Sequence, residues 1–136
     1  MYAGYHEEYW YRVMVKAFIP GSQTELSIHF VDYGDFNILS TDDLCPLPEP
    51  FRTLPCQAVK GSLAGVNPLG SAPWSEQAID RFSDMVQDKT MTAWTYTMNE
   101  NGFLSMTLVD STTRDHNAFV HRRLIAEGLA DDGSVH

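Results

Sequence analysis

Ten consecutive residues set the architecture of this chain: Leu26-Ser27-Ile28-His29-Phe30-Val31-Asp32-Tyr33-Gly34-Asp35. Alternate residues at its start, Leu26, Ile28 and Phe30, are apolar, which predicts a half-buried antiparallel strand. The last four residues predict a tight turn, because glycine accepts a positive φ and aspartate bonds to nearby backbone. Two aromatic rings, Phe30 and Tyr33, then lie beside the carboxylate of Asp35. Such a cluster suits a bulky organic cation.

Composition favours a folded module that meets a basic partner. The 136 residues are 43% hydrophobic, which is enough for an ordinary core in one domain or two fused halves. The formal net charge of −9 argues against nucleic acid as the main ligand, because phosphate contacts need clustered Lys and Arg. The cysteines and histidines show no metal-ligand spacing, so neither a metal nor a cofactor is expected. No apolar run suits a membrane span, and no membrane partner is expected.

Alternation continues on both sides of the opening stretch. Residues 10–18 predict a strand, which a turn at 20–23 joins to the strand beginning at Leu26. Residues 36–39 predict a third strand, and three strands with short loops suggest a small, strongly bent barrel. Residues 41–44 predict one capped helical turn, after which four prolines between residues 46 and 55 prevent regular structure.

A second unit is predicted from Gln57 onward. Ser75 is the expected N-cap of a helix over residues 76–87. The buried stripe of that helix is expected to consist of Ile79, Phe82, Met85 and Val86.

Two strands and a final helix complete the predicted second unit. The strands, residues 91–98 and 103–109, flank a strong hairpin signal. The helix, over residues 118–127, is expected to begin at an Asn117 cap and to end before a C′ glycine. Residues 131–136 are expected to fray.

An ordered series of motifs resembles the extended Tudor domain. In chain order the motifs are Trp10-Tyr11-Arg12, Phe30 to Asp35, Leu44 to Leu47, Phe51, Leu54 to Ala58, Lys60 to Val66, the helix after Trp74, Leu108 to Thr112, and the helix ending Ala126-Glu127-Gly128. The match covers almost the whole chain, and its C-terminal half is most similar to the LOTUS-and-Tudor proteins of germline small-RNA granules. The resemblance implies a mainly β fold with two or more helices. A Tudor (SH3-like) barrel with its Pro-rich linker would occupy residues 1–56, and a staphylococcal-nuclease-like, OB-type half would occupy residues 57–136.

The resemblance also implies a ligand site. In that family four aromatic residues and a polar residue form a cage, and the matching positions here are Tyr5, Tyr11, Phe30, Tyr33 and Asp35. The polar residue is often Asn, and an Asp keeps an acceptor but adds a charge. We therefore expect tolerance of arginine with fewer methyl groups. Without the family, a core position is favoured for Tyr11 and Phe30, while Tyr5 is typical of a barrel edge and Asp35 of a turn.

The implied function is that of a non-catalytic adaptor. The family binds arginine-containing peptides, often symmetrically dimethylated, from Piwi-class Argonautes, in cytoplasmic, perinuclear germ granules of the piRNA pathway. Methylation keeps the charge of a guanidinium but replaces N–H donors with apolar bulk, so stacked rings with one acceptor suit it. The sequence shows neither an activated nucleophile with its base nor the acidic and arginine set of a nuclease. No enzyme activity is therefore expected.

Two other functions stay open at this point. A cage-independent scaffold would bind a folded partner such as an RNA helicase, which the altered residue Asp35 and the short N-terminus favour. Extended Tudor domains usually place a helix and two strands before the first cage aromatic, whereas four residues precede Tyr5. Either the sequence is trimmed or the OB-type half is incomplete. Single-stranded RNA binding by that half is disfavoured by the net charge.

The remaining conspicuous side chains are expected to serve the fold. Arg12 is expected to brace it through an acidic partner, and Asp32 to brace the turn. The cluster at residues 121–123 (His-Arg-Arg) is expected on a solvated helix face. The residues expected in the core are Trp10, Trp74, Trp94, Cys45 and Cys56.

Overall fold

The computed structural model describes residues 1–112 and 118–133. It divides into two compact units, Met1–Val59 and Lys60–His136. The division falls three residues after the boundary expected between residues 56 and 57. The expected mainly β fold with at least two helices is confirmed.

Unit 1 is one antiparallel sheet. Its strands are β1 (Tyr2–His6), β2 (Tyr9–Phe18), β3 (Glu25–Phe30), β4 (Phe36–Ser40) and β5 (Leu44–Pro46), arranged in the order β4-β3-β2-β1-β5. The predicted hairpin and third strand are confirmed, whereas β1 was not expected. A 3₁₀ turn at Thr41–Asp43 begins where the Ser40 hydroxyl accepts the N–H of Asp42 at 3.2 Å. This confirms the predicted capped turn.

The turn between β1 and β2 consists of two residues with left-handed backbone. Glu7 has a φ of 45° and Glu8 a φ of 74°. Two positive φ values are typical of a type I′ hairpin turn, where Asn-Gly is the usual sequence. The turn pairs His6 with Tyr9 and continues through β1 without a register shift. The absence of the usual turn residues explains why the sequence did not reveal β1.

The core of unit 1 lies on one face of this sheet. The buried residues are Val13, Leu26, Ile28, Phe30 and Leu39, with Tyr11, Val15 and Leu44 packed against them. A register shift between Val15 and Ala17 ends the alternation by which β2 residues point into this core. Gly4 lets β1 lie close to Leu39, because a Cβ at this position would be only 2.9 Å from Leu39 Cδ1.

Arg12 fastens the Pro-rich segment, residues 46–55, to this sheet. Its Nε donates to Asp32 Oδ2 at 2.8 Å, and its terminal nitrogens donate to Asp32 Oδ1 and to the backbone carbonyls of Phe51, Leu54 and Pro55. Asp32 Oδ1 also accepts the N–H of Gln57 at 3.1 Å. The hydrogen bonds from Arg12, then that from Gln57, hold the pKa of Asp32 below its usual value. Both residues therefore brace the fold as predicted.

Unit 2 mixes short strands with two helices over the residues described. They are β6 (Gly61–Leu63), β7 (Val66–Pro68), α1 (Glu76–Val86), β8 (Thr92–Met98), β9 (Leu104–Val109), α2 (Val120–Ala126) and β10 (Ala130–Asp132). Strand β9 lies between β6, to which it is parallel, and β8, to which it is antiparallel. Strand β10 pairs with β7.

Several predictions for unit 2 are confirmed and others were wrong. Ser75 Oγ accepts the N–H of Ala78 at 3.1 Å, which confirms the N-cap of α1, and β8 with β9 confirms the hairpin. Fraying was wrong for Asp131 and Asp132, because both pair with β7. The Asn117 cap and residues 134–136 lie outside the described residues.

The core of unit 2 gathers around its helices, with Val66, Met85, Val120, Leu124 and Ala130 buried together. Ile79, expected in the buried stripe of α1, is exposed. The core positions expected for Trp10, Trp74, Trp94, Cys45 and Cys56 were also wrong, since all five are exposed. Trp94 lies on β8, all of whose residues are exposed at the edge of the sheet. In the described parts of the chain, no helix has the length and hydrophobicity to cross a bilayer.

Candidate functional site

Three aromatic rings meet at one end of the sheet in unit 1. Tyr11 lies on β2, Phe30 ends β3, and Tyr33 lies in the following turn. The Tyr11 ring centroid is 5.1 Å from that of Phe30 at an interplanar angle of 70°, and 5.6 Å from that of Tyr33 at 81°. Tyr11 is thus close to perpendicular to both neighbours. We call these three rings the aromatic cup.

The predicted turn is confirmed and holds the outer ring of the cup. The carbonyl of Phe30 accepts the N–H of Gly34 at 2.8 Å and that of Tyr33 at 3.3 Å, while the Phe30 N–H donates to the carbonyl of Asp35 at 2.9 Å. Gly34 has a φ of 96°, which its missing Cβ permits. These bonds fix the backbone on both sides of Tyr33 and leave the carboxylate of Asp35 exposed nearby.

The three rings of the cup differ in how much of each is exposed to solvent. Phe30 is only 4% exposed and also belongs to the core, whereas Tyr33 is 73% exposed. Tyr11 is intermediate. The cup therefore has a rigid floor and an outer wall whose face is open to solvent. A flat cation stacked on such faces gains from the negative potential of each ring.

Tyr5 is not brought to the cup. Its ring packs on that of Trp10, with centroids 5.3 Å apart. Because Tyr5 lies directly opposite Trp10, and Gly4 lies opposite Tyr11, the Tyr5 and Tyr11 side chains leave opposite faces of the sheet. The two-residue turn after β1 determines which residues of β1 and β2 share a face. The structure thus gathers Tyr11, Phe30 and Tyr33, with Asp35 in the adjoining turn.

His6 lies beside the aromatic cup, on the same face of the sheet as Tyr11. Its imidazole centroid is 5.6 Å from that of Phe30 at 45°. The His6 Nε2 is 3.4 Å from Nδ2 of Asn37 on β4. Sequence reasoning missed this residue. Recognising a two-residue turn at Glu7 and Glu8 would have placed His6, one position after Tyr5, on the face of Tyr11.

The basic cluster at residues 121–123 is not a free cationic patch. Burial lowers the pKa of His121 below its usual value, with a smaller contribution from the charge of Arg122. The Arg122 guanidinium lies 4.6 Å from the ring centroid of Phe119. The solvated face expected for this cluster therefore does not include His121. Over residues 1–112 and 118–133, no three His, Cys, Asp or Glu side chains are grouped to hold a metal ion.

Comparison with known proteins finds a family whose description matches the first part of the chain. Residues 1–65 match the family described as Tudor domain. Tudor domain-containing protein 5 of Danio rerio is 34% identical over 127 residues, covering 93% of this chain and 14% of that protein. Tudor domain-containing protein 1 of Homo sapiens is 37% identical over 125 residues, covering 91% of this chain and 10% of that protein. The chain thus spans only a small part of these relatives.

Solved structures extend the similarity to the whole chain. The extended Tudor domain of human TDRD1, in complex with a symmetrically dimethylated peptide, has a TM-score of 0.85 at 32% identity and covers 96% of this chain and 63% of its own. Domain TD3 of mouse TDRD1, with a MILI peptide containing dimethylarginine, has a TM-score of 0.85 at 25% identity and covers 98% of this chain and 68% of its own. Residues 1–65 therefore match the Tudor domain family, and the chain as a whole has the fold of the extended Tudor domains, with their nuclease-like half.

Proposed function

We propose that this chain is a non-catalytic module that binds arginine side chains, methylated or unmodified, in Arg-rich peptide tails. The guanidinium enters the aromatic cup, and Asp35 supplies an acceptor at its rim. The near-perpendicular placement of Tyr11 against both Phe30 and Tyr33 carries this proposal. The TDRD1 structures with methylated peptides support the ligand class. The net charge of −9 favours encounter with a basic tail.

The partner class proposed is the tail of a Piwi-class Argonaute in cytoplasmic germ granules. Its support is the family resemblance and the similarity to Tudor domain-containing proteins. The nearer resemblance to LOTUS-and-Tudor proteins remains a prediction. A cup with flanking peptide contacts would give micromolar affinity, roughly −8 kcal/mol.

The test is a calorimetric titration with Arg-Gly peptides that are unmodified, monomethylated or symmetrically dimethylated. Tyr33→Ala removes the outer wall of the cup, and Tyr96→Ala is the matched control, an exposed tyrosine on β8 in unit 2. Each stacked cation–ring contact contributes about 0.5–1 kcal/mol when exposed and about 2 kcal/mol when desolvated. We therefore expect Tyr33→Ala to weaken binding about 2–30-fold and Tyr96→Ala to leave it unchanged. Equal affinity of wild type and Tyr33→Ala would reject the cup.

A second candidate function is a cage-independent scaffold for a folded partner such as an RNA helicase. The observation favouring it is β8, whose seven residues are all exposed and include Trp94, Tyr96 and Met98. Capture of a helicase that survives Tyr33→Ala but is lost with Trp94→Ala would favour the scaffold. The reverse pattern would favour the cup.

A further inference from the structure

We infer that a second opening in unit 1, away from the aromatic cup, binds a bulky apolar side chain that a partner peptide presents between Lys or Arg residues. A cavity of about 370 Å³ lies there, a volume within the range of small-ligand sites. Val15 lines this cavity and follows Tyr11 of the cup by four residues on β2, which separates the two residues by about 13 Å along the strand. The inference goes beyond the proposed function, because it uses no residue of the cup.

The walls of this cavity, which we call the apolar pocket, are mostly hydrophobic. The lining residues are Tyr2 of β1, Val15 and Phe18 of β2, Leu26 of β3, Thr41 of the 3₁₀ turn, and Leu44, Cys45 and Pro46 of β5. Leu26 is only 6% exposed, whereas Tyr2 and Phe18 are 43% and 56% exposed. The apolar pocket therefore combines a buried wall with two aromatic rings that an entering side chain can cover, and covering them removes apolar surface from water.

The charges beside the apolar pocket are mainly negative. The charged residues directly adjacent in sequence to its lining residues are three acids and one base: Glu25, Asp42, Asp43 and Lys16. Asp42 and Asp43 belong to the same 3₁₀ turn as Thr41, and the side chains of Glu25 and Asp42 are exposed. A partner that places an apolar side chain between basic residues therefore complements both the walls and the charge of the apolar pocket.

Cys45 provides a local readout of occupancy. Its thiol is free and exposed on the wall of the apolar pocket, so a bound peptide should slow its alkylation by iodoacetamide. Cys56 is also free and exposed but does not line the apolar pocket, and it serves as the internal control. The alkylation rate of Cys45 should fall about tenfold at a peptide concentration ten times the Kd, while that of Cys56 stays unchanged. Mass spectrometry after trypsin digestion separates the two, because Arg52 lies between them.

The experiment compares three short peptides. The first has one leucine flanked on each side by Lys and Arg, the second replaces the leucine with serine, and the third flanks the leucine with Glu. Only the first should protect Cys45. The Kd comes from the dependence of the Cys45 alkylation rate on peptide concentration.

Two variants test the apolar wall and the charge separately. Phe18→Ala should weaken binding of the first peptide roughly 5–15-fold, because about 50 Å² of apolar contact is lost. Phe36→Ala is the matched control, since Phe36 is an exposed phenylalanine on β4 that does not line the apolar pocket, and its affinity should equal that of wild type. Asp42→Asn should weaken binding about 3-fold and reduce its dependence on salt.

Tyr33→Ala tests whether the apolar pocket and the cup are separate sites, and Cys45 should stay protected in this variant. The inference would be overturned by loss of protection in Tyr33→Ala, by equal protection from the serine or Glu peptide, or by wild-type affinity in Phe18→Ala. If Cys45 were protected without peptide and became reactive on dilution, a second copy of this chain would be the occupant, which would also overturn it. Failure of dimethylarginine peptides to bind would instead reject the proposed function, while protection of Cys45 would still support the apolar pocket.

Discussion

Glu8→Gly is expected to stabilise unit 1, because Glu8 has a φ of 74° in the turn between β1 and β2. A side chain in left-handed backbone costs about 1–2 kcal/mol, which glycine avoids. Glycine also destabilises the folded state by about 0.5–1 kcal/mol, because it gives the unfolded chain more conformational freedom. The net gain lies between about 0 and 1.5 kcal/mol, with a midpoint near 0.75 kcal/mol. At that midpoint the melting temperature of a unit of this size should rise by about 3–6 °C.

Two control variants isolate the backbone effect. Glu8→Gln removes the same charge but keeps the Cβ, so its melting temperature should stay close to that of wild type. Glu25→Gly makes the same chemical change at the start of β3, where φ is not positive, and should lower the melting temperature. Thermal unfolding followed by circular dichroism measures all three. If Glu8→Gly melts at or below the wild-type temperature, the left-handed turn and the placement of His6 that depends on it are refuted.

Three further outcomes follow from burial and charge. Phe30→Ala should lower the free energy of unfolding by about 3–5 kcal/mol in urea titration, because Phe30 is only 4% exposed, whereas Tyr33→Ala should change it by less than about 1 kcal/mol. Gly4→Ala should cost about 1–3 kcal/mol, since its Cβ would meet Leu39 Cδ1 at 2.9 Å; an unchanged urea midpoint would contradict this contact. Asp32 has a folded pKa below its usual 3.8, so the folded protein binds fewer protons there and stability rises with pH. That contribution should be complete above the usual value and lost as pH falls towards the folded one, and Asp32→Asn should reduce the slope of urea stability between pH 5 and 3.

Much of the fold was predictable because local signals agree with the tertiary structure. Period-2 alternation around Ile28, the glycine turn at Gly34 and the Ser75 cap each specify their own element. The confirmed elements are those whose residue types leave little choice of conformation. The turn that carries Tyr33 belongs to this group. The strand and turn pattern therefore placed Phe30 and Tyr33 together, whereas Tyr11 joined them through the family resemblance.

The misses share a different cause. Strand β1 is invisible locally because its hairpin turn uses Glu7 and Glu8 in place of glycine or asparagine. Without that turn, the alignment of β1 with β2 is off by one residue. An error of one residue moves a strand side chain, here that of Tyr5, to the other face of the sheet. The exposure of Trp94 follows from its position on an edge strand, which depends on pairing between distant segments that hydrophobicity alone cannot reveal.

The single guanidinium of Arg12 has a consequence for motion. Three carbonyls of the Pro-rich segment accept hydrogen bonds from this one side chain, so they should detach as one cooperative opening rather than singly. The backbone amides of Gln57 and Ala58, bound to Asp32 and to Val31, would report that opening by hydrogen exchange. Asp32 immediately precedes Tyr33, so each release would also loosen the outer ring. Peptide affinity would then depend on how firmly the Pro-rich segment is held to the sheet.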